Sequence, residues 1–142
     1  MNFTDRTIKN TLAAALLSFI SLITPASAQE KGNKVIHINA QEARVLLGEE
    51  SDIQVLDVRT RPEFDNGHIS GAKQINYLST SFSENLSALD KQAPYIVHCK
   101  SGNRSSKAVE IMQREGFTNI YHLDGGYKAW KALPNQNESH TD

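Results

Sequence analysis

The chain has 142 residues, 22% of them charged, with fifteen basic against sixteen acidic side chains and a single cysteine, Cys99. A net charge of −1 gives no electrostatic reason to expect nucleic acid or an anionic lipid surface as a partner. One cysteine excludes both an internal disulfide and a C-x-x-C redox pair.

The N-terminal MNFTDRTIKN carries Arg6 and Lys9, the apolar TLAAALLSFISLIT follows, and Pro25-Ala26-Ser27-Ala28 closes the segment before Gln29. A charged n-region, a short h-region and an A-x-A site read as a signal peptide over residues 1–28, cut after Ala28, which implies a periplasmic or secreted protein. The apolar stretch falls short of the roughly 20 residues that span a bilayer, so no membrane attachment is expected after cleavage. Cleavage would leave 114 residues with thirteen basic and fifteen acidic side chains, a size suited to one domain.

Residues 29–35 read as a linker into a domain over 36–134. Val35-Ile36-His37-Ile38 predicts a strand, and Ala43, Leu46 and Leu47 share one face of a helix that Gly48 should close. The β-branched run Ile53 to Val58 predicts a second strand, after which Thr60 and Pro62 announce a short helix. Asn66-Gly67 and Ser70-Gly71 punctuate a loop before a very short strand at Gln74-Ile75-Asn76, and Ser83 to Leu89 offers a helical turn or two. Tyr95 to His98 predicts a fourth strand. Ser105 to Glu115 is the strongest helix, with Gly116 as its stop. Asn119 to Leu123 predicts a fifth strand and Gly126 to Leu133 a last helix. Strands alternating with helices imply an α/β fold with a mostly parallel sheet covered on both faces. The tail over 135–142 is polar enough to be disordered.

The chemistry concentrates in HCKSGNRSS, residues 98–106. Ligands of open α/β sheets bind beyond the carboxyl ends of the strands, where Cys99 falls. Lys100, Ser101, Gly102, Asn103 and Arg104 form a tight loop into a helix, so that successive N–H groups can point at the sulfur and at an anion bound to it. Gly102 permits a positive φ, and Arg104 presents a planar fork to an oxyanion. The helix dipole and the two cations favour the nucleophilic thiolate. Ser101 and Ser105 are read as helix caps ahead of substrate contacts. His98, next to Cys99 on a strand, should point away from it. His37, His68, His98, His122 and His140 are too dispersed to suggest a metal site, and no cofactor motif is present.

Four motifs in order carry a resemblance: Leu56-Asp57-Val58-Arg59; Glu63-Phe64 with Gly67-His68-Ile69-Ser70-Gly71-Ala72; Cys99 to Ser105; and Asp124-Gly125-Gly126 with Ala129-Trp130. Over residues 36 to 132 the chain resembles the single-domain rhodanese sulfurtransferases. The resemblance implies a five-stranded sheet and a cysteine, here Cys99, that takes the outer sulfur of thiosulfate, releases sulfite and holds a persulfide for cyanide or a thiol, with Lys100 to Ser105 as the substrate cradle. It implies a small anionic sulfur donor and a thiol or cyanide acceptor, a redox protein among the candidates. Asp57, Arg59, Glu63 and His68 match family positions and are read as holding loops, and Trp130 as core. One departure concerns the donor: the two-domain thiosulfate enzymes of the family carry adjacent basic residues after the cysteine, whereas here Ser101 follows Lys100. Two alternatives stay open. One is a persulfide carrier that acts only with a protein partner. The other is a phosphatase or arsenate reductase, whose loops place five residues between cysteine and arginine where this chain has four.

Overall fold

The computed structural model describes residues 34–50 and 52–134; the expected signal peptide and polar tail lie outside them. Ten elements follow in chain order: β1 (Lys34–Ile38), α1 (Ala40–Glu49), β2 (Gln54–Asp57), α2 (Arg61–Asp65), β3 (Lys73–Gln74), α3 (Phe82–Ser87), β4 (Pro94–His98), α4 (Asn103–Arg114), β5 (Asn119–Leu123) and α5 (Gly126–Lys131). Among the described residues no helix is long and apolar enough to cross a membrane.

The strands form one sheet in the order β1-β5-β4-β2-β3, and every pair is parallel. Strand alternation divides the apolar residues between two faces. Leu56, Tyr95, Val97 and Ile120 pack with Phe82 and Leu86 of α3 and with Ala108, Val109 and Met112 of α4. Val55, Ile96 and Leu123 pack with Ala43 of α1 and with Ala129 and Trp130 of α5. The central strands are buried on both sides, which is why they read as continuous β-branched and aromatic runs rather than as alternating ones.

Local chemistry explains the boundaries. Asn39 starts α1 through a reciprocal cap, accepting from the Glu42 N–H at 2.9 Å while its own N–H donates to the Glu42 carboxylate at 2.7 Å. The helix passes through Gly48 to Glu49, against the expectation that Gly48 would end it; that glycine is exposed and meets no other atom within 4 Å, so nothing there demands a left-handed turn. β1 begins at Lys34, two residues before the expected domain boundary, because its whole length pairs with β5 from Lys34–Asn119 to Ile38–Leu123. β3 is Lys73–Gln74 rather than 74–76, an edge strand of two residues.

This order sets the site. From β1 the chain crosses to β2 and β3 at one edge, then returns to β4 and β5, so β2 and β4 are neighbours whose continuations leave in different directions. Their carboxyl ends, at Asp57 and His98, therefore open a crevice at the topological switch point.

Candidate active site

Cys99 follows β4 directly and lies on the α4 face of the sheet, 1% exposed. His98, one residue earlier, points to the other face as alternation requires. There it is fully buried, with Nδ1 3.1 Å from the Cys99 carbonyl oxygen and Nε2 3.7 Å from Asp57. Burial, more than any other influence, pushes the His98 pKa down.

The loop closes tightly around the sulfur. The Gly102 N–H donates to Cys99 Sγ at 3.1 Å, and the Ser105 hydroxyl lies 3.5 Å from it. Burial pushes the Cys99 thiol up, but the Ser105 hydroxyl and the N–H groups of Ser105, Ser101 and Gly102 outweigh it and leave the thiol below its ordinary value. Gly102, at φ +106°, turns the chain into α4 and is its N-cap, so the helix begins at Asn103, two residues earlier than expected. The capping role expected of Ser101 and Ser105 is thereby corrected. Ser101 is exposed, and Ser105 is fully buried, its hydroxyl 3.0 Å from the Gly102 carbonyl and 2.9 Å from His122 Nε2. Asn103 is exposed and its carbonyl accepts from the Ser106 hydroxyl at 2.9 Å.

The N-terminal turn of α5 holds the loop from behind. The N–H groups of Tyr127 and Lys128 donate to the carbonyls of Cys99 and Lys100 at 2.8 and 3.0 Å. Lys100 is exposed and borders a cleft of about 280 Å³ shared with Arg59, Glu63, Asn66, Tyr127, Lys128 and Lys131. Four of these seven side chains are cationic, so the cleft favours an anion.

Arg104 faces Glu63 of α2, with Nη1 and Nη2 each 2.7 Å from a carboxylate oxygen. The Thr60 N–H and hydroxyl donate to the same carboxylate at 3.1 and 2.9 Å. The Arg104 hydrogen bonds, ahead of those from Thr60, hold the Glu63 pKa down at about 2. Glu63, read from sequence as holding a loop, therefore holds the arginine of the cysteine loop itself. Asp57 and Arg59 behave as expected: they form a buried ion pair with Nη2 2.5 Å from Oδ2, and Arg59 also donates to the Gly67 carbonyl and lies 4.2 Å from the Tyr127 ring centre. His68 stacks on Phe64 at 3.8 Å, and Trp130 is partly buried beneath Arg44.

Sequence reasoning missed His122. It interrupts the otherwise apolar stretch 120–123 of β5, is 5% exposed, and reaches Ser105 from 17 residues away. A polar side chain next to the carboxyl end of an interior strand was the available signal. Its other nitrogen lies 3.0 Å from Asp124 and 3.4 Å from His37, so histidines that are dispersed along the chain converge in space.

The Rhodanese-like domain family matches residues 39–133. Among curated proteins, the chain is 36% identical over 96 residues to the thiosulfate sulfurtransferase GlpE of Pseudomonas aeruginosa, covering 68% of this chain and 84% of that one. It is 34% identical over 86 residues to the protein of the same name from Shewanella oneidensis, covering 61% and 83%. Among solved structures, a rhodanese-like domain protein from Staphylococcus aureus superposes with a TM-score of 0.61 at 33% identity, over 67% of this chain and 90% of that one. The rhodanese-like domain of the Alr3790 protein from Anabaena gives 0.63 at 29% identity, over 74% and 83%.

Proposed function

The chain belongs to the rhodanese-like domain family and is a sulfurtransferase of that type, and on that premise we propose that it moves a sulfane sulfur from thiosulfate, or a similar anionic donor, to a thiol or cyanide through a persulfide on Cys99. The observation that carries the reading is the Gly102 N–H directed at a sulfur whose pKa is held down despite burial. In the first half-reaction the Cys99 thiolate attacks the outer sulfur of thiosulfate. An S–S bond forms to Cys99, the bond to the sulfonate sulfur breaks with its electron pair, and sulfite leaves, so the negative charge stays on the new persulfide. In the second, cyanide or a thiolate takes the outer sulfur and the Cys99 thiolate is regenerated. The N–H groups of the loop stabilise negative charge on both sulfurs, and they are in place before the reaction begins. Two half-reactions on one nucleophile imply ping-pong kinetics.

Intact mass after incubation with thiosulfate tests this: one added sulfur per chain, absent from Cys99→Ser, removed by cyanide. No added sulfur on the reduced wild type would overturn thiosulfate as donor. Persulfide that discharges to a partner protein but not to small acceptors would favour the carrier over the independent enzyme. We place the activity in the periplasm or outside the cell, on the strength of the Ala26-Ser27-Ala28 cleavage pattern. N-terminal sequencing of the exported chain should begin at Gln29; an exported chain that retains residues 1–28 would refute the cleavage, and a chain found only in the cytoplasmic fraction would refute the placement.

A further inference from the structure

His37 and His122 occupy facing register positions on the neighbouring strands β1 and β5, and Asp124 lies just beyond β5. Three atoms converge there. His37 Nδ1 and His122 Nδ1 lie 2.9 and 3.0 Å from the same carboxylate oxygen of Asp124, and 3.4 Å from each other. A tetrahedral cation with ligands at about 2.0–2.1 Å separates neighbouring donor atoms by about 3.3 Å, so this triangle is within a few tenths of an ångström of a binding geometry. The side chains of His37 and Asp124 are 63% and 54% exposed and free to make that adjustment, while that of His122, at 6%, is held in place.

The buried member also has the outer partner that a metal-bound imidazole requires. His122 Nε2 lies 2.9 Å from the Ser105 hydroxyl, which fixes the ring with Nδ1 toward the other two donors. We propose that His37, His122 and Asp124 form a binding site for a divalent transition cation of the zinc class, with its open position toward the cleft of about 390 Å³ that His37 and His122 line together with Glu110. Two imidazoles and one carboxylate select such cations over magnesium and calcium, which take oxygen ligands. Glu110 adds negative charge on the same cleft.

The site is linked to Cys99 through one proton. With a cation on His122 Nδ1, the ring must carry its hydrogen on Nε2 and donate it to Ser105 Oγ. The Ser105 hydroxyl then has its own hydrogen to give to Cys99 Sγ, 3.5 Å away, or to the Gly102 carbonyl. In the other tautomer, Nδ1–H points at Asp124, and Nε2 becomes an acceptor that competes with the sulfur for the one Ser105 hydrogen. Cation binding therefore favours the Cys99 thiolate.

The inference does not rest on sulfur transfer, and its test is independent of it. Zinc chloride is titrated calorimetrically into tag-free full-length protein and into Cys99→Ser. One zinc per chain is expected in both, weakened at least roughly tenfold in His37→Ala and in Asp124→Asn, whose folding is checked by circular dichroism. Absence of binding, loss of binding in Cys99→Ser, or full binding in folded His37→Ala would each overturn the site. In the wild type, zinc should speed alkylation of Cys99 by iodoacetamide several-fold at neutral pH and leave the rate in His37→Ala unchanged. An unchanged or slower wild-type rate would overturn the link through Ser105.

Discussion

Arg104 and Glu63, 41 residues apart, meet fork to fork with both nitrogen–oxygen distances at 2.7 Å, so the helix after β2 is tied directly to the loop that surrounds Cys99. Glu63 raises the pKa of Arg104 further, and the Cys99 thiolate acts in the same direction, so one guanidinium answers to both a fixed carboxylate and the reactive sulfur. Because the fork is planar, replacing it by an ammonium keeps the charge but not the geometry.

Both Arg104→Lys and Glu63→Gln should therefore slow persulfide formation by about tenfold, the equivalent of one charge-assisted hydrogen bond. Because each breaks the same contact, the double variant should be little worse than either single one, with a coupling of about 1 kcal/mol in a stability cycle for this partly exposed pair. Rapid-quench mass spectrometry and urea unfolding supply the two readouts, and strictly additive effects would show that the pair does not act as a unit. The pair also has a pH signature. Glu63 is depressed from 4.5 to about 2, so its stabilisation is complete above pH 4.5 and disappears as pH falls to about 2, a decline that Glu63→Gln should lack.

His98 acts on stability in a different pH range. Its folded-state pKa is lowered, chiefly by burial, so below its ordinary 6.5 the unfolded chain takes up a proton that the folded chain refuses. Stability contributed this way is present above pH 6.5 and falls on acidification, by up to about 1.4 kcal/mol per pH unit. Urea midpoints measured from pH 7.5 to 5.5 should drop in the wild type and flatten in a folded His98→Gln variant. Equal slopes in the two proteins would assign the acid sensitivity elsewhere.

Ser105→Ala removes the hydroxyl that most lowers the Cys99 pKa and that also meets His122. The midpoint of the alkylation-rate profile should move to higher pH. At a fixed pH below it, the rate should fall about tenfold, as expected for losing one hydrogen bond to a charged sulfur. Ser105→Thr, which keeps the oxygen, should recover part of the rate where the extra methyl fits. An unmoved midpoint in Ser105→Ala would mean that the backbone N–H groups suffice.

How much of this was legible in the sequence depends on the separation between partners. β4 and β5 were readable because Tyr95-Ile96-Val97 and Ile120-Tyr121 are β-branched and aromatic runs whose composition is a local property. Cys99 and its glycine-containing loop were readable for the same reason, the cradle being built from consecutive residues. Glu63 with Arg104, and His122 with Ser105, were not, since strand order brings them together and no spacing along the chain encodes it. The start of α4 was misplaced by two residues because Gly102 caps it by conformation, where a serine cap was expected. The stop at Gly48 failed for the opposite reason: a glycine in an exposed helix is tolerated where no turn is needed.

Gly126 gives the sharpest separation between these two uses of glycine. It has φ +58°, and a Cβ added there would sit 2.5 Å from the Cys99 carbonyl oxygen and 2.8 Å from the Lys100 carbonyl carbon. Those are backbone atoms, held by the Tyr127 and Lys128 N–H groups, so neither side can swing away as a flexible side chain would. Left-handed backbone alone costs an alanine about 1–2 kcal/mol, and the overlap must be relieved by moving the cysteine loop itself. Gly126→Ala should therefore lower stability by at least about 2 kcal/mol and also slow Cys99 alkylation in the fraction that remains folded. Gly48→Ala is the control: with no atom within 4 Å and a helical backbone, it should raise stability by about 0.5–1 kcal/mol and leave the thiol untouched. If Gly126→Ala unfolds at the wild-type urea midpoint with an unaltered alkylation profile, α5 does not hold the cysteine loop in place.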